Sequence, residues 1–199
     1  MDWREALSYA SFACSMGGYL PYILHMRKHN IVPPMAAWFI WFGVDILIFG
    51  SSLLKGEFSW QMAGFLIGNV ALIFFVNMKG WKISLIDKLS IGAATIGMLL
   101  WALFDDKDYS FVAYVAAAGI GNVPLYKACY REPQKESHLA WLIFVGSSVF
   151  STAAIDTWTI QKSLQPIAFL CFGVPTLYLL FVRGRKSPQP SLEATLPSA

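Results

Sequence analysis

The chain has 199 residues, 56% of them hydrophobic and only 14% charged, with a net charge of +3 and a mean hydropathy of +0.52. A soluble domain carries about 25% charged residues, so this composition excludes a water-solvated globule and makes lipid part of the solvent. The weak positive charge is divided among separate segments, which excludes nucleic acid as a partner, and Cys14, Cys129 and Cys171 all lie in apolar runs without the CxxC or Cys/His spacing of a metal site.

A spanning helix needs about 20 mostly apolar residues. In chain order such runs occupy 7–26, 35–54, 59–78, 85–104, 109–130, 138–155 and 164–182, which predicts an all-α membrane protein of seven transmembrane helices. The first run follows Met1–Glu5 with no basic stretch and no small-residue cleavage site, so it reads as a retained helix and not a signal peptide. The connections are short, and the Pro- and Ser-rich tail 186–199 is expected to be a disordered cytoplasmic tail. Arg27, Lys28, Lys79, Lys82, Lys88, Lys127, Arg131, Lys135, Arg183, Arg185 and Lys186 fall on one side of this topology, and Arg4, Lys55, Lys107 and Lys162 on the other. Basic loops stay in the cytoplasm, so the amino terminus is expected outside and the carboxyl terminus inside.

Pro21 and Pro124 are 103 residues apart, as are Trp38 and Trp141, and Gly43 and Gly146. The matched landmarks indicate a duplication, with Gly68 against Gly173 after a small shift. The domain reading is then 1–84 as a first three-helix bundle, 85–104 as a linker helix and 105–185 as a second three-helix bundle. The odd fourth helix returns the chain to its starting side, so the copies run parallel, related by a twofold axis along the membrane normal.

With these residues in place, the chain resembles the PQ-loop superfamily, which includes the SWEET sugar transporters. The resemblance rests on the 3+1+3 span count, the paired prolines of the first and fifth spans, and the tryptophan-rich second helix of each repeat. It implies helices packed in the order one, three, two within each bundle, around a central substrate cavity. It also implies that Pro21, Pro34 and Pro124 serve as hinges for alternating access. The Pro-Gln pair that names the family is replaced by Pro21-Tyr22 and Pro124-Leu125, and the third-helix asparagine is present as Asn69 while Val174 stands at the matching seventh-helix position.

Five residues are candidates for contact with a solute. Asp45 sits midway along the second span, where a carboxylate costs about 2.5–3.5 kcal/mol unless it faces a cavity or a partner. It reads either as a ligand, cation or proton site or as a structural carboxyl bonded to a neighbouring helix. Asn69 and Asn122 are mid-span amides that can bind a hydroxylated ligand or join two helices, and Asn122 can also cap carbonyls freed by Pro124. Trp41 is one turn before Asp45 on the same face, placed to stack on a ring or to anchor at the interface with Trp38 and Trp141. Ser148 is the repeat mate of Asp45.

His25, His29 and His138 all map to the cytoplasmic edge, apart from Asp45, and no GxSxG, HExxH or phosphate-cradling motif occurs. The expectation is a non-enzymatic transporter or facilitator of a small polar solute, a sugar or a vitamin-like heterocycle. No cofactor or metal is expected. The expected partners are the solute and membrane lipid, with a homo-oligomer open, and the expected location is a bacterial inner membrane. A receptor or sorting protein on the same fold and a lipid scramblase are the alternatives.

Overall fold

The computed structural model describes residues 2–54, 58–76, 80–103 and 107–184. The expected tail 186–199 and the acids Asp105 and Asp106 lie outside the described residues, which are helical with no strand among them.

The first apolar run is broken where an unbroken helix was expected. Helix α1 (Trp3–Gly17) hands over at Gly18 to α2 (Tyr19–Lys28). Pro21 has no amide to donate to the Gly17 carbonyl, which ends α1 there, while Gly18 keeps helical dihedrals of −62° and −25°. The chain therefore bends without reversing. Helix α2 stops at His29, and Asn30 takes the left-handed conformation with φ 50°. Short polar side chains tolerate that region better than most.

The extended segment 31–34 ends in Pro33-Pro34, and α3 (Met35–Leu54) starts at the next residue. Helix α4 (Trp60–Phe75) is capped by Ser59, whose hydroxyl accepts from the Met62 amide at 3.4 Å. At the start of α5 (Leu85–Leu103), Ser84 and Asp87 exchange hydrogen bonds of 2.8 and 3.2 Å, a reciprocal cap. Helix α6 (Lys107–Arg131) continues through Pro124. A 3-10 turn (Pro133–Lys135) leads to α7 (His138–Ala153), capped by Ser137. Helix α8 (Ile160–Tyr178) begins four residues before the expected 164, because the Thr159 hydroxyl caps the Lys162 amide. It passes into a π-helical turn, Leu179–Arg183.

Among the described residues, one helical stretch, Lys162–Val182, is long and apolar enough to cross a membrane. Met35–Gly50, Trp60–Phe75 and His138–Ala153 are equally apolar but shorter. At 1.5 Å per residue, the 16-residue helices α4 and α7 reach about 24 Å, less than the roughly 30 Å hydrocarbon core.

Helix α1 packs most extensively on α4 and α7, α4 also meets α3, and α7 lies on α8. Helix α3 crosses α6, and α5 lies along α6 and α3. The main core gathers Tyr22, Met26, Trp38, Leu72, Leu125 and Phe144 at the centre, and a smaller cluster around Ile40, Val44 and Ala118 packs where α3, α5 and α6 meet.

The α1–α4 contact depends on glycine. A methyl group at Gly64 would strike the Ser15 hydroxyl and lie 2.8 Å from the Phe12 carbonyl, and one at Gly68 would enter the Tyr19 ring. Backbone atoms cannot yield as a flexible side-chain end can. Gly64→Ala is expected to destabilise the purified protein by roughly 1–3 kcal/mol, read as a lowered melting midpoint in detergent. Gly92→Ala, where nothing lies within 4 Å, is expected to be neutral or to stabilise by up to about 1 kcal/mol. Equal melting of Gly64→Ala and the parent chain would show that the close approach of α1 to α4 is not required.

Candidate functional site

Trp38, Trp41 and Asp45 are spaced by three and four residues, so they share one face of α3. That face looks into a central cavity of about 40 Å³, whose lining includes Trp38, Trp41, Asp45, Asn122, Trp141 and Ser148. The space is room for roughly three waters. Its walls are otherwise aromatic, with Tyr19 from α2, Phe65 from α4, Phe144 from α7, and Phe169 and Phe172 from α8.

Asp45 is 1% exposed. Its Oδ2 accepts a 2.8 Å hydrogen bond from Asn69 Nδ2 of α4, while Asp45 Oδ1 and Asn69 Oδ1 are buried with no partner. Four of the five candidate residues, Asp45, Trp41, Asn122 and Ser148, therefore line one cavity, and Asn69 stands behind it, holding the carboxyl. Asn122 Nδ2 donates to the Ala118 carbonyl at 2.8 Å. That carbonyl is one turn back from Asn122 itself, whereas Pro124 frees the carbonyl of Ile120, so the expected cap at the proline is replaced by back-bonding. Trp38, Trp41 and Trp141 are not surface anchors: their rings meet in the interior at centroid distances of 5.1, 6.1 and 6.4 Å. Of the expected hinges, Pro34 and Pro124 line a vestibule beside the cavity, and Pro21 lies at the α1–α2 break. The side chains of Ser51 and Ser52 lie outside the described residues.

Two hydrogen-bonded clusters cross between the halves of the chain, one on each side of the cavity. At the first, Trp38 Nε1 donates to the Tyr22 hydroxyl (3.2 Å), Tyr22 donates to Glu136 Oε1 (3.3 Å), and Trp141 Nε1 donates to Glu136 Oε2 (3.1 Å). Trp38 and Trp141, matched in the repeat, thus converge on one buried carboxyl. At the second, Gln61 Nε2 donates to the hydroxyls of Ser147 (3.2 Å) and Ser148 (2.9 Å), and Gln165 Nε2 donates to Gln61 Oε1 (3.1 Å). The Ser11 hydroxyl donates to the Ser147 carbonyl at 2.8 Å, and Ser147 returns a 2.9 Å bond to the Ser11 carbonyl.

Beyond each cluster lies a larger vestibule. One, of about 520 Å³, is lined by Lys82, Lys127, Arg131 and Lys135 with Asp87, Glu132 and Glu136. The other, of about 780 Å³, is lined by Asp2, Glu5 and Asp156 with Arg4 and Lys162. The first is lined by Lys135 and Glu136, just before α7, and the second by Ser151 and Ala154 at its end, so they lie at opposite ends of that helix.

Glu136, Gln61, Gln165 and Ser11 were not singled out from sequence. Glu136 sits in the charged run Arg131–Ser137 and reads there as solvated. The paired tryptophans are the one hint, since a buried indole N–H needs an acceptor. The His25 and His29 rings lie 4.7 Å apart, tilted by 48°, and a His138 ring nitrogen lies 3.2 Å from the Leu180 carbonyl. Among the described residues no group of three or more His, Cys, Asp and Glu could hold a metal ion.

Comparison with family models, with curated proteins and with solved structures gives no match for this chain.

Glu136 is 3% exposed, and burial raises its carboxyl from the ordinary 4.5 to about 7, while the hydrogen bonds from Trp141 and Tyr22 pull the other way without cancelling the effect. The folded chain favours the neutral acid. Its contribution is complete below pH 4.5 and is lost as the pH rises through about 7. Purified protein is expected to lose thermal stability across that window, by roughly 3 kcal/mol at most, and Glu136→Gln is expected to flatten the slope. A melting midpoint that climbs over this range, or a glutamine variant with the parent's slope, contradicts the assignment.

Proposed function

We propose that the chain is an integral membrane transporter or facilitator that carries a small polar solute by alternating access between two three-helix bundles. The observation that carries this reading is a central cavity bearing a buried carboxyl, flanked by two inter-half clusters and then by two vestibules at opposite ends. A passage closed at both gates has this arrangement, and opening either cluster alone would expose Asp45 to one side only.

The helix packing supports two parallel three-helix units, 1–84 and 105–185, joined by 85–104. Helix α4 is the neighbour of both α1 and α3, and α8 is the neighbour of both α6 and α7. The cross-contacts α1 with α7 and α3 with α6 exchange under a twofold operation, as expected of the PQ-loop order one, three, two. The apolar exterior supports lipid as the surroundings. Leu85, Leu89, Ile96, Leu99 and Leu103 present one stripe along α5, with Leu85 72% and Leu103 78% exposed, and Phe74 of α4 is 79% exposed. A contiguous apolar surface of this kind marks an interaction with membrane or protein. The sorting of basic residues supports a cytoplasmic Lys82–Arg131 vestibule, with the amino terminus outside.

The absence of lysine and arginine from the cavity lining favours a transporter over a receptor that reads a carboxylate. With no nucleotide-binding motif in the sequence, the energy comes from the solute gradient or a coupled ion.

Full-length protein in liposomes is expected to take up one member of a panel of hexoses and neutral or cationic heterocycles with saturable kinetics. Asp45→Asn is expected to reduce that uptake at least about tenfold, or about 1.4 kcal/mol. Full activity in Asp45→Asn removes the carboxyl from the mechanism. Absence of uptake across the panel, with rapid flipping of a fluorescent lipid in the same vesicles, replaces the solute by lipid.

A further inference from the structure

We propose that the central cavity selects a compact monovalent organic cation, a quaternary ammonium or a cationic heterocycle, over a neutral sugar. The proposal rests on reading this cavity as the solute site and names the chemistry of the solute.

The argument begins with unsatisfied valence. Burying a polar group without a partner costs free energy, so nearly every such group finds one. At the Asp45 level the two polar atoms left buried and unpaired are Asp45 Oδ1 and Asn69 Oδ1, and both are acceptors. Asn122 donates to Ala118, and Ser148 donates to the Phe144 carbonyl and accepts from Gln61, which leaves the Tyr19 hydroxyl as the other hydroxyl on the cavity wall. Two of the three indole N–H groups are committed to the Glu136 cluster, and the third belongs to Trp41. The complement to orphaned acceptors is a donor or a positive charge.

The walls point the same way. Trp38, Trp41 and Trp141 form a corner of three rings, with Trp41 edge-to-face on both others at interplanar angles of 83° and 75°. Phe144 lies 5.7 Å from Trp141 and 6.3 Å from Trp38. Aromatic faces attract cations, most strongly when water is excluded, and aromatic cages are a recurrent solution for quaternary ammonium groups. No Lys or Arg lines the cavity, so the Asp45 carboxyl has no protein counter-ion there. A monovalent cation would supply one. In this conformation the cavity of about 40 Å³ suits a compact head group better than a disaccharide.

The test is equilibrium binding to the purified full chain, read by quenching or shift of tryptophan fluorescence, with matched probes. Choline is compared with its neutral isostere 3,3-dimethyl-1-butanol, N-methylpyridinium with pyridine at pH 8, and all with glucose. Saturable binding of at least one cation is expected, with the neutral isostere at least tenfold weaker. Asp45→Asn is expected to weaken the cation at least tenfold and Trp41→Leu several-fold, the second variant serving should the first fail to fold. Equal binding of cation and isostere overturns the proposal, as does binding of glucose alone. Because binding needs no vesicle, cation binding without uptake would refute transport and leave this inference standing. Saturable uptake of a neutral sugar with no cation binding would do the reverse.

Discussion

A single carboxyl buried in an apolar helical body organises this molecule. Asp45 lies at the middle of α3, on a cavity lined by no basic side chain, and its one hydrogen bond comes from Asn69 on the next helix. A charge so placed is costly unless compensated, and the surroundings are arranged around it. Tryptophans from α3 and α7 line the cavity, Asn69 holds one oxygen, and the other oxygen is buried without a partner. The residual valence is hard to account for as packing, because an apolar residue of similar size would fill the same space without orphaned acceptors.

The two flanking clusters have different chemistries. Glu136 is the common acceptor for Tyr22 and Trp141, and through Tyr22 for Trp38, so a single titratable group ties the halves at the basic end. At the acidic end the tie is neutral, a set of amide and hydroxyl bonds among Ser11, Gln61, Ser147 and Gln165. Neutral hydrogen bonds net about 1 kcal/mol each, and bonds to a charged group more. The two closures therefore respond differently to pH, with only the basic one sensitive near neutrality. In sequence, Trp38 and Trp141 are 103 positions apart, as are Asp45 and Ser148, so the asymmetry falls between residues of equal spacing.

Much of this was legible in the sequence, for identifiable reasons. Helix α3 begins at Met35 because Pro33-Pro34 precede it, and α7 begins at His138 because Ser137 caps it, so both starts can be read locally. Asp45 and Asn122 stand out as polar residues in apolar runs. What could not be read is which polar residues meet. Asn69 and Asp45 are 24 positions apart and pair only because α3 and α4 pack together. Gln61, Gln165 and Ser11 each look like an ordinary helix polar residue until α1, α4, α7 and α8 bring them together. Glu136 was hidden by its charged neighbours Arg131, Glu132 and Lys135. The break at Gly18 was missed because Pro124, its repeat mate's counterpart, interrupts nothing in α6: a lost amide ends one helix and is tolerated in another according to the packing around it.

The central claim, two gates that open one at a time around Asp45, is tested most directly by paired distance measurements in lipid vesicles. With Cys14, Cys129 and Cys171 replaced by alanine, spin labels at positions 28 and 135 report the basic end, and labels at 5 and 157 report the acidic end. The account predicts that Gln61→Leu lengthens the 5–157 distance and leaves 28–135 short, while Glu136→Ala lengthens 28–135 and leaves 5–157 short. Both distances lengthening together in either variant, or neither changing in both, would contradict it.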